Sequence, residues 1–186
     1  MILPFALLLA SGCAQSDPCR TVETYLRALK ALDADRIEAL IDPSFRSKRD
    51  DGSDAPFNYA GSRANREFER GTRTKWTYKI VGVDGERIMV LLTEDNEYYR
   101  LLGVGVRTQI TAYAARNGKV YFAEGKVMVD EQGSYSLAKR AFLDWLKGQP
   151  GAAADAGVNL SGDLVFNAAS APKLLRWLRK YNSIRK

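Results

Sequence analysis

"VETYLRALKALDADRIEALIDPSF", residues 22–45, decides how the fold is read. Val22, Tyr25, Leu26, Leu29 and Leu32 recur at three- and four-residue steps, the repeat of an amphipathic helix. Asp33 to Asp35 break the pattern, and a second short helix follows with Ile37, Leu40 and Ile41 on one side. Asp42-Pro43 is expected to close it, because a residue before proline is pushed out of helical geometry. Residues 47–61 read as a loop, and Ser62 as the cap of a third helix through about Arg70.

The middle of the chain reads as sheet. "KWTYKIVGV" (75–83) runs into the turn Asp84-Gly85, and "RIMVLLTE" (87–94) returns. "VRTQITAYAAR" (106–116) and "KVYFAEGKVMV" (119–129) flank Asn117-Gly118, a strong hairpin signal because both residues tolerate positive φ. Arg107, Gln109 and Thr111 alternate with Thr108, Ile110 and Ala112, which predicts one wet and one packed face. The end returns to helix. "SYSLAKRAFLDWLKG" (134–148) carries Leu137, Phe142, Trp145 and Leu146, and "NAASAPKLLRWLRKYNSIRK" (167–186) carries Leu174, Leu175, Leu178 and Tyr181.

Composition narrows the chemistry. The 186 residues suit one domain, and 46% hydrophobic with 27% charged residues is ordinary globular composition. There is no histidine, which removes Ser-His-Asp and Cys-His catalysis and histidine-based zinc sites. Asp50, Asp51 and Asp54 lack calcium-loop spacing and read as a solvated turn; no metal and no cofactor is expected for the chain. Gly103 and Gly105 make only part of a nucleotide-binding fingerprint. The formal net charge is +6, read as solubility rather than nucleic-acid binding. Lys173, Arg176, Arg179 and Lys180 give the last helix a basic face: either the outside of a docked helix or a surface for anionic lipid.

The first ten residues, "MILPFALLLA", are apolar but too short for the ~20 residues that a membrane span needs. "ASGC" (10–13) and then "AQSDP" follow. Small residues before a cysteine, after an apolar run, resemble the lipobox of bacterial lipoproteins. The resemblance implies that residues 1–12 are a signal peptide and that Cys13 becomes the lipidated first residue. Residues 13–18 are then a short tether. Two or more acyl chains give stable anchoring, and Ala14 after the cysteine favours the outer membrane, facing the periplasm, in a two-membrane bacterium. Acylation of Cys13 excludes a disulfide to Cys19.

Residues 22–45, together with "RNGKVYFAEGKV" (116–127), resemble the nuclear transport factor 2-like superfamily, which includes SnoaL-like and ketosteroid-isomerase-like proteins. The likeness covers roughly residues 19–130. It implies an α+β fold, with a curved antiparallel sheet packed against N-terminal helices as a cone. The C-terminal helices, from about residue 134, are an addition within one domain spanning 19–186.

Proton-transfer enzymes of this fold place a carboxylate in a dry pocket opposite a hydroxyl donor. Glu94 continues the apolar phase Ile88, Val90, Leu92, and Glu124 shares a phase with Val120 and Phe122. With Tyr99 these are the candidate catalytic groups. Tyr25, Trp76, Tyr78, Tyr113 and Phe122 are the candidate pocket residues. "TEDNEYYRLLGVGVR" (93–107) reads as a bent, aromatic-rich connection at a pocket mouth. The leading expectation is a lipid-anchored envelope protein with a non-catalytic domain that binds a small apolar ligand or a partner. The alternatives are a small isomerase or dehydratase, and a homodimeric scaffold.

Overall fold

The computed structural model describes residues 16–48, 53–127 and 129–185. The lipobox cysteine, the apolar start, and Asp50 and Asp51 lie outside the described residues. No described helix is long and apolar enough to cross a membrane.

Helix α1 (Asp17–Lys30) buries Val22, Leu26 and Leu29, the face that the three- and four-residue spacing predicts. Leu32 ends it with φ 55°, and the Asp33 N–H donates back to the Ala28 carbonyl at 3.0 Å. Asp33 then caps α2 (Ala34–Ala39), its side chain accepting from the Arg36 N–H at 3.0 Å. Asp42-Pro43 does not close this helix. Strand β1 (Ile41–Lys48) has already begun there, because the Leu40 carbonyl is taken by Val120 of a later strand. After β2 (Asp54–Ala55), α3 (Tyr59–Gly71) starts earlier than Ser62, since Asn58 caps it by accepting from the Gly61 N–H at 2.9 Å.

Strands β3 (Lys75–Asp84) and β4 (Arg87–Asp95) form the first hairpin, and β5 (Arg107–Arg116) and β6 (Lys119–Val127) form the second. The sheet has six strands in the order β2-β1-β6-β5-β4-β3. It is mixed rather than wholly antiparallel, because β1 runs parallel to β6. Between the hairpins, α4 (Glu97–Leu102) occupies the segment expected to be a bent connection, capped by Asn96 and ended by Gly103 at φ 77°. The chain closes with α5 (Val129–Lys147), α6 (Ala152–Asp155) and α7 (Ser170–Ser183).

Two apolar cores result. In the first, α1 lies across β3, β5 and β6, on a sheet face built from Ile88, Val90, Leu92, Tyr113, Ala115 and Val120. In the second, α7 packs on α3, α4, α5 and α6 through Leu174, Leu175 and Leu178, joined by Phe68, Tyr98, Phe142 and Leu146. Leu137 does not join it; its side chain is 69% exposed. The fold is α+β, with helices cupped by a sheet and additional C-terminal helices, as the resemblance implies. Cys19 lies buried in the first core, 5% exposed.

Two β-bulges decide which side chains face α1. The register of β5 and β6 slips between Ala114 and Ala115, so Tyr121 is an extra residue. Val120 stays on the inner face opposite Ala115, but Phe122 pairs with Ala114 and Glu124 with Ala112 on the outer face. The shared phase expected for Val120, Phe122 and Glu124 is broken there. A second slip, between Ile80 and Gly82, returns Val83 to the core and leaves Val81 exposed.

Candidate functional site: a charged cluster at an aromatic cavity

Trp76, Glu94 and Arg107 form one cross-strand row, directly opposite one another on β3, β4 and β5. They continue the inner face whose next row, Tyr78, Leu92 and Gln109, belongs to the sheet covered by α1. Of the two alternating sets on β5, Arg107, Gln109 and Thr111 are the ones on the inner face. The row lies where the sheet leaves α1 and meets α3 and α4, at the seam between the two cores.

Asn96 organises this seam. It is 1% exposed; its Oδ1 accepts from the Tyr99 N–H at 2.7 Å and caps α4, while its Nδ2 donates to Glu94 Oε1 at 2.9 Å. The cap that starts the helix also orients the carboxylate. The Tyr99 hydroxyl donates to Glu94 Oε2 at 3.2 Å and accepts from Arg107 Nη1 at 2.6 Å. The Arg107 guanidinium carbon lies 5.0 Å from the centre of the Tyr99 ring and 4.8 Å from that of Tyr135 on α5.

A second carboxylate faces the first. Glu69 on α3 is 7% exposed, accepts from Arg66 Nη2 at 2.5 Å and receives the Trp76 indole N–H at 3.3 Å. Burial pushes its carboxyl up to about 7; Arg66 opposes the shift and the Glu94 charge adds to it. Burial also raises Glu94, against Arg107 and the Tyr99 hydroxyl. The Tyr99 hydroxyl is raised by burial and by Glu94, so it remains a neutral donor. No group of three or more metal-ligating side chains is present among the described residues.

Beside these groups is a cavity of about 240 Å³. Its polar side is Asn65, Glu69, Glu94, Asn96 and Arg107, and its other wall is Phe68, Tyr98, Tyr99, Tyr135 and Phe166. The aromatic rings contact one another edge-on, Phe68 to Phe166 at 4.7 Å and Phe68 to Tyr98 at 5.8 Å between centres. Tyr135 and Phe166 come from the C-terminal addition, which thus walls the site.

The structure sorts the sequence candidates. Glu94 and Tyr99 meet in the cavity, and Trp76 reaches its edge through Glu69. Tyr25 and Tyr113 pack ring to ring at 5.5 Å within the first core and do not line the cavity. Burial raises both hydroxyls, and Tyr25 also senses the Glu69 and Arg66 charges. Tyr78 packs against the same core, with its hydroxyl beside Arg27. Glu124 and Phe122 are on the other side of the sheet. Glu124 accepts from Arg87 Nη1 at 3.3 Å, and the same guanidinium lies 5.1 Å from the centre of the Phe122 ring. Arg107, Glu69 with its partner Arg66, Asn65, Asn96, and the rings of Phe68, Tyr98, Tyr135 and Phe166 are the groups that sequence reasoning missed. The signal for Glu69 was its place beside Phe68 on the packed side of α3.

The basic face of the last helix is largely engaged. Arg176 pairs with Asp155 and Arg179 with Glu97, while Lys180 lies 4.8 Å from the Trp177 ring centre. These contacts fit the docked-helix reading.

No family model matches the chain. No curated protein matches it either. Among solved structures, an NTF2-like protein of unknown function from Burkholderia pseudomallei K96243 is 16% identical, with a TM-score of 0.47. That match covers 63% of this chain and 95% of the other. An LEH-like epoxide hydrolase of M. tuberculosis is 15% identical, with a TM-score of 0.46, over 70% of this chain and 95% of the other. A putative polyketide cyclase from Silicibacter sp. TM1040 is 12% identical, with a TM-score of 0.47, over 68% of this chain and 96% of the other.

Proposed function

We propose that this chain is a small-molecule-binding domain whose ligand occupies the cavity between Glu94, Arg107 and the Tyr135–Phe166 wall. The observation that carries the reading is the cavity itself: about 240 Å³ with an aromatic wall on one side and mutually oriented charged groups on the other. Concave sites with an apolar lining and a few placed polar groups are the usual form of ligand pockets. The test is a thermal-shift screen of small organic compounds against the whole domain and a Tyr135→Trp variant, which fills the cavity. Compounds that stabilise the first and not the second support the reading. Compounds that stabilise both equally, or no stabilising compound, overturn it.

A second reading is favoured by the two carboxyls, Glu69 and Glu94, that line one cavity beside the Tyr99 hydroxyl, with burial pushing Glu69 up to about 7. Carboxyls titrating near neutrality suit general acid–base work, and Glu94 with the Tyr99 hydroxyl would complete a proton-transfer set. Turnover of an enolisable ketone that is lost in Glu69→Gln and Glu94→Gln, with binding retained, would favour an isomerase or dehydratase.

The lipobox supports a separate proposal, that Cys13 carries a thioether-linked lipid and holds the domain at a bacterial envelope membrane. The chain has two cysteines, and one sulfur cannot be in a thioether and a disulfide at once. Labelling with a fatty-acid analogue, lost in Cys13→Ala, supports the anchor. An unlabelled protein with an intact disulfide between the two cysteines overturns it.

A further inference from the structure

Of the two guanidiniums at the site, Arg66 is paired with Glu69 although its Nε too is buried without an acceptor, whereas Arg107 has no carboxylate partner among the described residues. Among the described residues, the five N–H donors of Arg107 make one hydrogen bond, to the Tyr99 hydroxyl, and its Nε is buried without an acceptor. It forms no ion pair among the described residues, although Glu94 stands directly opposite on the next strand. Both nearby carboxylates are already supplied with donors, Glu94 by Asn96 and Tyr99, and Glu69 by Arg66 and Trp76. A guanidinium at a cavity wall, held only by a hydroxyl and two ring faces, is short of acceptors.

We propose that Arg107 is the anchor for an anionic ligand, and that the ligand is a small aromatic carboxylate. Its acid group meets the guanidinium, and its single ring lies among Phe68, Tyr98, Tyr135 and Phe166. This inference rests on the small-molecule reading above and names the class of molecule.

Three further observations agree. The charge balance of the cavity suits an anion: the Arg66 and Arg107 guanidiniums stand against two carboxyls that burial pushes toward the neutral form. The wall opposite Arg107 is aromatic, and a flat ring extends its edge-to-face packing. A volume of about 240 Å³ is below the ~300 Å³ from which drug-sized pockets begin, so it holds one ring rather than a fused polycycle. An ammonium ligand fits less well, because the cation position over Tyr99 and Tyr135 is already held by Arg107.

Titration calorimetry with benzoate, benzamide and benzyl alcohol on the unaltered domain tests this without relying on a variant that folds. Benzoate is expected to bind at least about tenfold more tightly than its two neutral analogues, the ratio for a charge-assisted hydrogen bond. In Arg107→Gln that preference is expected to vanish, while Arg87→Gln on the outer face leaves it intact. Equal binding of the three compounds, or a preference that survives Arg107→Gln, overturns the carboxylate assignment. If benzoate fails while other compounds stabilise the domain in a Tyr135→Trp-sensitive way, the ligand class is wrong and the binding reading stands. If no compound does so, both fall.

Discussion

Glu94 and Arg107 face each other across neighbouring strands, yet the hydroxyl of Tyr99, not a direct ion pair, joins them. Tyr99 accepts from the guanidinium at 2.6 Å and donates to the carboxylate at 3.2 Å. One neutral group therefore serves a half-buried guanidinium and a half-buried carboxyl, and α4, capped by Asn96, sets its position. Tyr99→Phe would leave both charges short of a partner. The expected destabilisation is about 1–3 kcal/mol, the cost of an unsatisfied buried group, read from urea unfolding at neutral pH. A change within experimental error would show that the two charges do not depend on the hydroxyl.

Glu69 couples stability to pH. Its carboxyl lies at about 7 in the folded chain against an ordinary value of 4.5. Between these values the folded state binds more protons than the unfolded one, so stability falls as pH rises. The contribution is fully present below the ordinary value and is lost as pH rises through about 7, a total of roughly 3 kcal/mol. Glu69→Gln should flatten this slope between about pH 5 and 8 without abolishing it, because Glu94 is shifted in the same direction. An unchanged slope in chemical denaturation across that range would remove Glu69 as its source.

Glu124 should matter little. Its partner Arg87 is 53% exposed and Glu124 itself 44%, so their ion pair is screened by water. Glu124→Gln is expected to change stability by less than ~0.5 kcal/mol and to leave ligand affinity unaltered. A tenfold loss of binding in this variant would return Glu124 to the site.

Gly71 tests how the second core is closed. A Cβ at this position would stand 2.6 Å from the Ala171 Cβ, where the end of α3 meets α7. Alanine is the better helix former by up to ~1 kcal/mol, but the overlap forces α7 away, and a net loss of about 1–3 kcal/mol is expected for Gly71→Ala. Adding Ala171→Gly should recover part of it. A double variant no more stable than Gly71→Ala alone would locate the strain elsewhere.

Periodicity carried most of the architecture because it reports which face of an element is apolar. The buried positions of α1 and α7 follow from three- and four-residue spacing, and the turns at Gly85 and Gly118 take positive φ at 58° and 71°. The column Ile88, Val90, Leu92, Glu94 also follows, since β4 runs without a register slip against β5. The phase of β6 does not follow. A single extra residue at Tyr121 turns Phe122 and Glu124 to the other face, and a bulge has no signature in local hydrophobicity.

The sequence by itself determined α1, α2, α3, α5 and α7 in outline, the two hairpins, the absence of histidine chemistry and the candidacy of Glu94 with Tyr99. Only the tertiary structure decided the site. Glu69 comes from α3, Arg107 from β5, Tyr135 from α5 and Phe166 from the segment before α7, and no local pattern relates positions so far apart in the chain. Their meeting follows from the packing of the second core against the open end of the sheet. Burial there gives Glu69 its altered proton affinity and leaves Arg107 short of acceptors, and burial is a property of neighbours in space rather than in sequence.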